Sequence, residues 1–583
     1  MKNEIKKNII LCLILVSICF IVINKLAGGQ MDAFHYKYVI INIIVNFLIV
    51  MGSKLCCSRK MYWGTFCAIE ILLFSVLFLK AISGADIMWV NLVRTVNFNI
   101  CLGGLAVLLT NLAQDKLLRI FVATILWVPI FLVVGLFWFY YLSENAWLGY
   151  DAILAIMQTN FKETISYLKT HICVPMLGGI TILFCIIFVM YKEVYFKGGI
   201  FFNGKLRVLL LVVLLISGLL VDNTFKKNYI TEPFYNAYKG QEEYNKFRSS
   251  RAIRDITLKN HSSISSDSTD GLYVLVIGES QTREHMSAYG YEKCTTPWLD
   301  KMLQENKVLL FTNAYSCHTH TVQSLSYALT EKNQYNNLDV AQASSLVDVA
   351  KAAGYNVIWL SNQVKYGLYD TPTSVIADAA DEQIYTSDNI ENTYNYDDAL
   401  LKKINKVELS GKTLLIVHLM GCHGDYKDRY PPQMTKFWGN NIIDHYDNAI
   451  YYNDLFMSKL CENIMNQSNF KGLIYFSDHG EDVEDQLGHN SAKFQPVMAK
   501  IPFYMIFSTS YMQDYGDRYR HLLKQKNSIF TNDLVYNTML GVMGIHYAEH
   551  EESWNDLSNI NYDKNESRFL TLHGKVKVNT IVK

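Results

Sequence analysis

Long apolar runs fill the first 221 residues of this 583-residue chain, whereas the rest has the mixed composition of a globular protein. A helix needs about 20 mostly apolar residues to cross a bilayer, because the hydrocarbon core is about 30 Å thick. Seven runs approach that length, and they cover residues 8–27, 37–54, 62–83, 95–113, 118–142, 172–191 and 206–221. The fourth run is the weakest, since three asparagines interrupt it, and the seventh is short. We therefore predict a transmembrane anchor of about seven spans over residues 1–221.

Basic residues between these runs predict which side of the membrane each loop faces. They precede the first run and then lie between runs two and three, four and five, and six and seven: Lys2, Lys6, Lys7, Lys54, Arg59, Lys60, Lys116, Arg119, Lys192, Lys197, Lys205 and Arg207. Cytoplasmic loops are enriched in lysine and arginine, so these segments should be cytoplasmic. Seven spans, or five, then place residues 222–583 on the opposite side.

Residues 151–168 lie between the fifth and sixth runs and are too polar to cross a membrane. Their apolar side chains recur at helical spacing, which predicts an amphipathic helix on the outer membrane surface. An ordinary surface loop is the alternative.

The polar part of the chain begins with a segment that resembles a linker, over residues 222–270, and continues as a second domain over residues 271–583. In the second domain, short apolar runs alternate with helical segments, and the runs cover residues 272–277, 308–311, 356–360, 414–417, 473–476 and 501–507. This alternation predicts an α/β domain whose mostly parallel sheet is covered by helices on both faces. Basic and acidic residues balance at 53 each, so no net charge favours a nucleic acid partner.

Polar residues directly follow four of the predicted strands. In chain order they are Glu279, Asn362, His418 with His423, and Asp478 with His479. Ligands bind at the carboxyl ends of the strands in such sheets, so these side chains should share one cleft. Carboxylate and imidazole groups without thiolates suit a catalytic Zn²⁺ or Mn²⁺ site that keeps a position open. Taken alone, Glu279 is equally well explained as a helix cap, and we interpret His418 as a hydrogen-bonded structural histidine.

Thr321 offers a hydroxyl where the chain turns helical after the second apolar run. Free backbone N–H groups and the positive end of the helix dipole at such a position favour a phosphate group. Metal coordination can also lower the pKa of a hydroxyl and make it a nucleophile. The simpler alternative is that Thr321 caps the helix.

Five segments occur here in the order found in phosphoethanolamine transferases, which they resemble. They are VIGESQTREHMSAYGY at 276–291, SCHTHT at 316–321, HLMGCHGDYKDRYP at 418–431, YDNAIYYND at 446–454 and SDHGE at 477–481. That family belongs to the sulfatase-like, alkaline-phosphatase superfamily and includes the lipid A modifying enzymes behind polymyxin resistance. The resemblance covers residues 272–510 and extends to the anchor through residues 158–160.

The resemblance implies a zinc ion held by four residues: Glu279, Thr321, Asp478 and His479. Thr321 would be the nucleophile. His423 and His489 would contact the phosphoethanolamine group or a second zinc and move protons, and Asn362 would lie near the donor headgroup. The chain departs from the family in three ways: Lys365 is one position out of register, Cys317 has no cysteine partner ten residues on, and the anchor has two spans beyond the usual five.

The implied function is the transfer of phosphoethanolamine from phosphatidylethanolamine, through a phosphothreonine intermediate, to a glycan or glycolipid of the bacterial envelope. We expect a multi-pass inner-membrane monomer with its catalytic domain in the periplasm. A phosphoglycerol transferase of the lipoteichoic-acid type is the nearest alternative, and an inactive membrane scaffold is another. A sulfatase would need a cysteine or serine as nucleophile, which Thr321 cannot supply.

Overall fold

The computed structural model describes a large part of the chain: residues 59–113, 115–159, 164–165, 167–169, 172, 174–197, 224–260, 264–268, 270–363, 372–386, 395–548 and 550–582. The chain separates into two compact units. One comprises Met1–Leu154 and Tyr167–Lys239, and the other comprises Ala155–Ser166 and Gly240–Lys583. The predicted spans at 8–27, 37–54 and 206–221 lie outside the described residues.

The first unit is helical. Its main helices are α1 (Arg59–Ile82), α2 (Trp89–Leu112), α3 (Lys116–Glu144), α4 (Tyr150–Gln158) and α5 (Val174–Lys197). By length and composition, three helical stretches among the described residues could cross a membrane, at Thr65–Ile82, Val90–Val107 and Lys116–Glu144, and α5 has a shorter apolar stretch at Met176–Lys192. These helices coincide with the third to sixth predicted spans, and α4 with the start of the predicted amphipathic helix. The total of seven spans stays a prediction.

Apolar side chains on α3 and α5 point outward, which is the reverse of a water-soluble bundle. Phe121 and Leu132 on α3, and Phe184 and Phe188 on α5, are all more than half exposed. A soluble protein rarely presents such a continuous apolar surface. The arrangement fits helices whose outer faces contact lipid.

The described residues between 222 and 270 form more regular structure than their polar composition suggested. They form three helices, α6 (Thr224–Lys227), α7 (Glu232–Ser249) and α8 (Arg251–Asn260), and a short strand at Ile264–Ser266. Phe247 and Leu258 are buried in the core of the second unit. A few well-spaced apolar side chains therefore fold a segment whose average composition is that of a linker.

The second unit contains the remaining elements. Its helices are α9 (Pro297–Gln304), α10 (Thr321–Ala328), α11 (Leu346–Ala352), α12 (Pro372–Ala377), α13 (Asp398–Ile404), α14 (Ile442–Ile464), α15 (Thr509–Asp514), α16 (Gly516–Lys524) and α17 (Val535–Met543). Its strands are β1 (Ile264–Ser266), β2 (Gly271–Gly278), β3 (Leu309–Leu310), β4 (Ala314–Tyr315), β5 (Asn356–Ser361), β6 (Glu382–Tyr385), β7 (Lys412–His418), β8 (Phe470–Ser477), β9 (Phe503–Phe507), β10 (Phe530–Thr531), β11 (Ile545–Tyr547), β12 (Leu570–Thr571) and β13 (Val576–Lys577).

A seven-stranded sheet with the order β3-β9-β8-β2-β7-β5-β6 forms the centre of this unit. The five strands from β8 to β6 run parallel, and β9 is antiparallel to both β8 and β3. Alternate residues of β2 belong to different cores, with Val274 in one and Leu275 in the other. Both faces of the sheet are therefore covered, as predicted. Strand β6 was not predicted, because this edge strand is polar and only partly buried.

Candidate functional site

The predicted polar residues meet at one edge of the sheet because the strands that precede them are neighbours. In β2, Gly278 pairs with Ser477 of β8 and Ile277 pairs with His418 of β7. The carboxyl ends of these strands are therefore level. Glu279, Asp478 and His479 begin the loops that follow, and all three are almost fully buried.

Thr321 reaches this cluster from α10. Its Oγ1 lies 3.2 and 3.3 Å from the two carboxylate oxygens of Glu279, and 3.4 Å from Nε2 of His479. His320, and not Thr321, is the N-cap residue of α10. The hydroxyl thus faces the cluster, and the interpretation of Thr321 as a simple helix cap does not hold.

The cluster has the properties of a cation site. Ligand atoms of Glu279, Asp478 and His479 lie within 4.8 Å of one another. Asp478 Oδ2 is buried and accepts no hydrogen bond, and among the described residues neither carboxylate pairs with a lysine or arginine. Burying unneutralised carboxylates side by side is costly, and a bound divalent cation would remove that cost. Carboxylate and imidazole donors fit zinc.

The charges of the cluster reflect this crowding. Burial, together with the neighbouring Asp478, raises the pKa of Glu279 well above its usual range. Burial opposes ionisation of Asp478 as well, but His479 and the backbone N–H of Ser280 outweigh it and lower the pKa of Asp478. The site therefore stabilises Asp478 in its charged form and Glu279 in its protonated form.

A hydrogen bond from Nδ1 orients the His479 ring so that Nε2 faces the cluster. Its Nδ1 donates to the carbonyl oxygen of Gly480 at 2.9 Å, so Nε2 carries the lone pair. That Nε2 atom lies 3.3 Å from Asp478 and 3.6 Å from Glu279. Burial lowers the pKa of His479, which keeps the ring neutral. A backbone acceptor behind a ligating imidazole is the usual way to fix its tautomer.

His489 lies beside the cluster and has its own carboxylate partner. Its ring centroid is 4.5 Å from that of His479, and its Nδ1 is 3.0 Å from Glu481 Oε2. The hydroxyl of Tyr426 donates to the other oxygen of Glu481 at 2.7 Å. Ligand atoms of His479, Glu481 and His489 also lie within 4.8 Å of one another, so this group could hold a cation too. Glu481 received no role from the sequence.

His423 and Asn362 are more loosely connected to the cluster. His423 is half-buried and follows Cys422, whose backbone N–H donates to the carbonyl oxygen of Glu279 at 2.9 Å. Asn362 is buried, and its amide nitrogen donates at 2.8 Å to both Asn395 O and Asp397 Oδ1. The amide of Asn362 is thus engaged with the protein. The substrate-contacting roles of His423, His489 and Asn362 stay predictions.

Asn532 joins the two halves of the cluster, and no local sequence signal marks it. Its Oδ1 accepts from Cys317 N at 2.8 Å, and its Nδ2 donates to Ser324 Oγ at 2.9 Å and to Asp478 O at 2.8 Å. Ser324, which lies on α10, also donates to Asp478 O at 2.7 Å. One buried amide therefore fixes the Thr321 helix relative to the Asp478 loop.

Two backbone features support the carboxylates. Ser280 adopts a positive φ of 56° and donates its N–H to Asp478 Oδ1 at 3.0 Å. Gly421 has a φ of 51°, and a Cβ there would lie 2.7 Å from the carbonyl oxygen of Glu279. Glycine at position 421 is therefore required for the loop after β7 to pack against Glu279.

The comparisons with known proteins agree with this geometry. Residues 272–545 match the sulfatase family model. Phosphoethanolamine transferase EptC of Escherichia coli K12 is 32% identical over 314 residues, which are 50% of this chain and 51% of that protein. The chain thus spans about half the length of the curated relatives it matches. The resemblance to phosphoethanolamine transferases is confirmed.

Two solved structures extend the comparison. The C-terminal periplasmic domain of E. coli EptC, in complex with Zn, has 27% identity and a TM-score of 0.50, and the match covers 54% of this chain and 95% of that one. The integral membrane protein EptA of Neisseria meningitidis has 19% identity and a TM-score of 0.57, covering 86% of this chain and 98% of that one. The second match extends over most of both chains and shows that this chain shares the fold of an integral membrane protein.

Proposed function

We propose that this chain transfers phosphoethanolamine from phosphatidylethanolamine to a glycan or glycolipid of the bacterial envelope. The match of residues 272–545 to the sulfatase family model and the similarity to phosphoethanolamine transferase EptC support the proposal. The observation that carries the proposal is the position of Thr321. Its hydroxyl lies 3.2 Å from a buried carboxylate and 3.4 Å from a neutral imidazole nitrogen, at the carboxyl ends of parallel strands. That environment suits a nucleophile.

Four residues would hold zinc in this proposal: Glu279, Thr321, Asp478 and His479. Zinc bound there would lower the pKa of the Thr321 hydroxyl and neutralise charge on the phosphoryl oxygens. The mixed nitrogen and oxygen donors, and the Zn complex of the E. coli domain, favour zinc over manganese. Reconstituting metal-free protein with each ion tests that preference.

The protein's own residues orient the reaction. Glu279 accepts the hydrogen bond of the Thr321 hydroxyl and so aims its oxygen, while the N–H groups that begin α10 face the donor phosphate. The Thr321 hydroxyl gives its proton to Glu279, and its oxygen attacks phosphorus. The bond to the diacylglycerol oxygen breaks, and the diacylglycerol leaves after gaining a proton. A phosphoethanolamine ester then remains on Thr321.

His489 and His423 are the groups we assign to proton transfer. His489 Nδ1 lies 3.0 Å from Glu481 Oε2, and this contact orients the ring as a proton donor to the leaving oxygen. In the second half of the reaction, His489 or His423 removes the proton of an acceptor hydroxyl, and the acceptor oxygen attacks the ester. The bond between phosphorus and the Thr321 oxygen breaks, and Thr321 regains its proton from Glu279. Asn362 is assigned to the donor headgroup.

The anchor gives this chemistry its location. Helices that could cross a membrane precede the catalytic domain, and the basic loops predict that the domain faces the periplasm. We therefore propose a multi-pass inner-membrane enzyme, acting as a monomer, whose anchor keeps the cleft at the leaflet that carries its lipid donor.

Thr321→Ala tests the proposal directly, with Thr321→Ser as the matched control that keeps a hydroxyl. Full-length protein is incubated with phosphatidylethanolamine, and the mass of the peptide containing residue 321 is measured. We expect one added phosphoethanolamine in the wild type and none in Thr321→Ala. A phosphoglycerol adduct would favour the lipoteichoic-acid type of enzyme. Full transfer by Thr321→Ala, or a wild type that binds no zinc, would contradict the proposal.

A further inference from the structure

The hairpin loop between β12 and β13 lies against the segment that carries Thr321, although it comes some 250 residues later in the chain. Thr571 donates its hydroxyl to Ser316 O at 2.7 Å, and His573 donates its backbone N–H to Cys317 O at 3.0 Å. Both contacts are made just before α10. The hairpin therefore fixes the backbone of residues 316 and 317, which lead into α10.

His573 of the same hairpin also contacts α10 itself. Nε2 of His573 lies 3.2 Å from the carbonyl oxygen of Gln323, and the imidazole stacks on Tyr327 with ring centroids 4.0 Å apart and planes 8° from parallel. Gln323 and Tyr327 are four residues apart and so lie on one side of the helix. Since burial lowers the pKa of His573 to about 3, the ring is neutral and Nε2–H is the donor.

The loop adopts a costly backbone conformation to make these contacts. Leu572, His573 and Gly574 have consecutive positive φ values of 51°, 50° and 88°. Positive φ disfavours Leu and His, and such conformations persist where surrounding contacts impose them, often near functional sites. Here the contacts that impose the conformation are made with residues on both sides of Thr321 in sequence, at 316–317 and at 323–327.

We infer that residues 571–574 clamp the nucleophile helix, with His573 as the positioning residue that keeps the Thr321 hydroxyl in register with Glu279 and His479. The inference rests on the proposed function for its catalytic consequence. Among the described residues of this segment, His573 contacts Cys317, His318, Gln323 and Tyr327, and none of these is a proposed zinc ligand. It acts through α10, whose first residue is the nucleophile.

Two variants separate the hydrogen bond from the stacking. His573→Phe keeps an aromatic ring over Tyr327 but removes the donor to Gln323, whereas His573→Gln keeps a donor and removes the ring. His521→Phe is the matched control, because His521 makes a bond of equal length, 3.2 Å, to the carbonyl oxygen of Ser558. That contact involves no residue of α10 or of the site.

Two readouts on the full-length protein test the clamp. For His573→Phe we expect kcat for transfer from phosphatidylethanolamine to fall about 10- to 100-fold with KM nearly unchanged, since small misplacements of a nucleophile slow the chemical step. We also expect faster hydrogen exchange over residues 316–328. His573→Gln should regain most of the activity, and His521→Phe should match the wild type in both readouts.

The outcomes distinguish the clamp from the proposed function. If His573→Phe matches His521→Phe in exchange over residues 316–328 and in kcat, or if His573→Gln is as impaired as His573→Phe, the clamp is wrong. If the wild type transfers nothing from phosphatidylethanolamine, the proposed function is wrong, and the exchange measurement alone then decides the clamp.

Discussion

Asn532→Ala should uncouple the Thr321 helix from the Asp478 loop, because this single side chain bonds to both. Asn532 is fully buried, and its amide makes three bonds of 2.8 to 2.9 Å, to Cys317 N, Ser324 Oγ and Asp478 O. Alanine leaves the buried Cys317 N–H without an acceptor, which costs about 1–3 kcal/mol. With the small cavity that the missing amide creates, we expect a total loss of about 2–4 kcal/mol in the free energy of unfolding.

The functional loss should exceed what this destabilisation explains. Partners behind metal ligands are worth about 10- to 100-fold in metal affinity or activity, so zinc affinity and turnover should both fall by about that factor. Zinc affinity is measured by chelator competition on the full-length protein, and stability by its thermal unfolding.

Asn448→Ala is the matched control for this prediction. Asn448 is also fully buried and makes a comparable set of bonds, to Lys436 N at 2.8 Å, Phe437 N at 2.9 Å and Phe437 O at 2.8 Å, with no contact to the site. It should lower stability to a similar degree and leave zinc affinity intact. Equal zinc affinity and turnover in Asn532→Ala and Asn448→Ala would show that Asn532 does not support the site.

Two further predictions follow from the carboxylates and from the loop that supports them. In metal-free protein the folded state raises the pKa of Glu279 above its usual value of 4.5, so protonated Glu279 contributes to the free energy of unfolding at low pH. This contribution is fully present below pH 4.5 and is lost as the pH rises through the pKa of Glu279 in the folded protein. Unfolding measured against pH should show the loss without zinc, and Glu279→Gln or added zinc should abolish it. Gly421→Ala should lose zinc binding and more than about 2 kcal/mol in the free energy of unfolding, because it combines a positive φ with a Cβ 2.7 Å from Glu279 O. Gly424 also has a positive φ, but no atom lies within 4 Å of a Cβ there, so Gly424→Ala should lose only about 1 kcal/mol. A pH-independent metal-free protein, or equal behaviour of the two glycine variants, would contradict these expectations.

The strand ends were predictable from the sequence because each signal was local. An apolar run followed at once by Glu279, or by Asp478 and His479, identifies the carboxyl end of a buried strand, and parallel neighbours bring those ends together. For Thr321 the local pattern predicted only a hydroxyl at the start of a helix, which left a simple helix cap as an alternative. The family resemblance then indicated which of these residues act together.

The supporting residues could not be found in this way because their partners are distant in sequence. Asn532 contacts Cys317 across 215 positions, and Thr571 contacts Ser316 across 255. Neither residue stands at a strand end or in a recognisable pattern. Periodicity and composition describe how a segment folds locally, but the partner of a buried amide is decided by tertiary packing.

The site therefore consists of two halves with different kinds of support. Glu279 and Asp478 extend directly from paired strands of the sheet, so their backbone positions are fixed by the ladder hydrogen bonds of β2 and β8. Thr321 has no such ladder, since the strands before it are only two residues long and α10 has only eight residues. Its position must instead be imposed by side-chain contacts, and the structure supplies these from Asn532 on one side and His573 on the other. If Thr321 is the nucleophile that we propose, it should be more sensitive than the two carboxylates to substitutions in its distant supports. Substitutions at Asn532 and His573 therefore test the proposed mechanism as directly as substitutions of the proposed zinc ligands do.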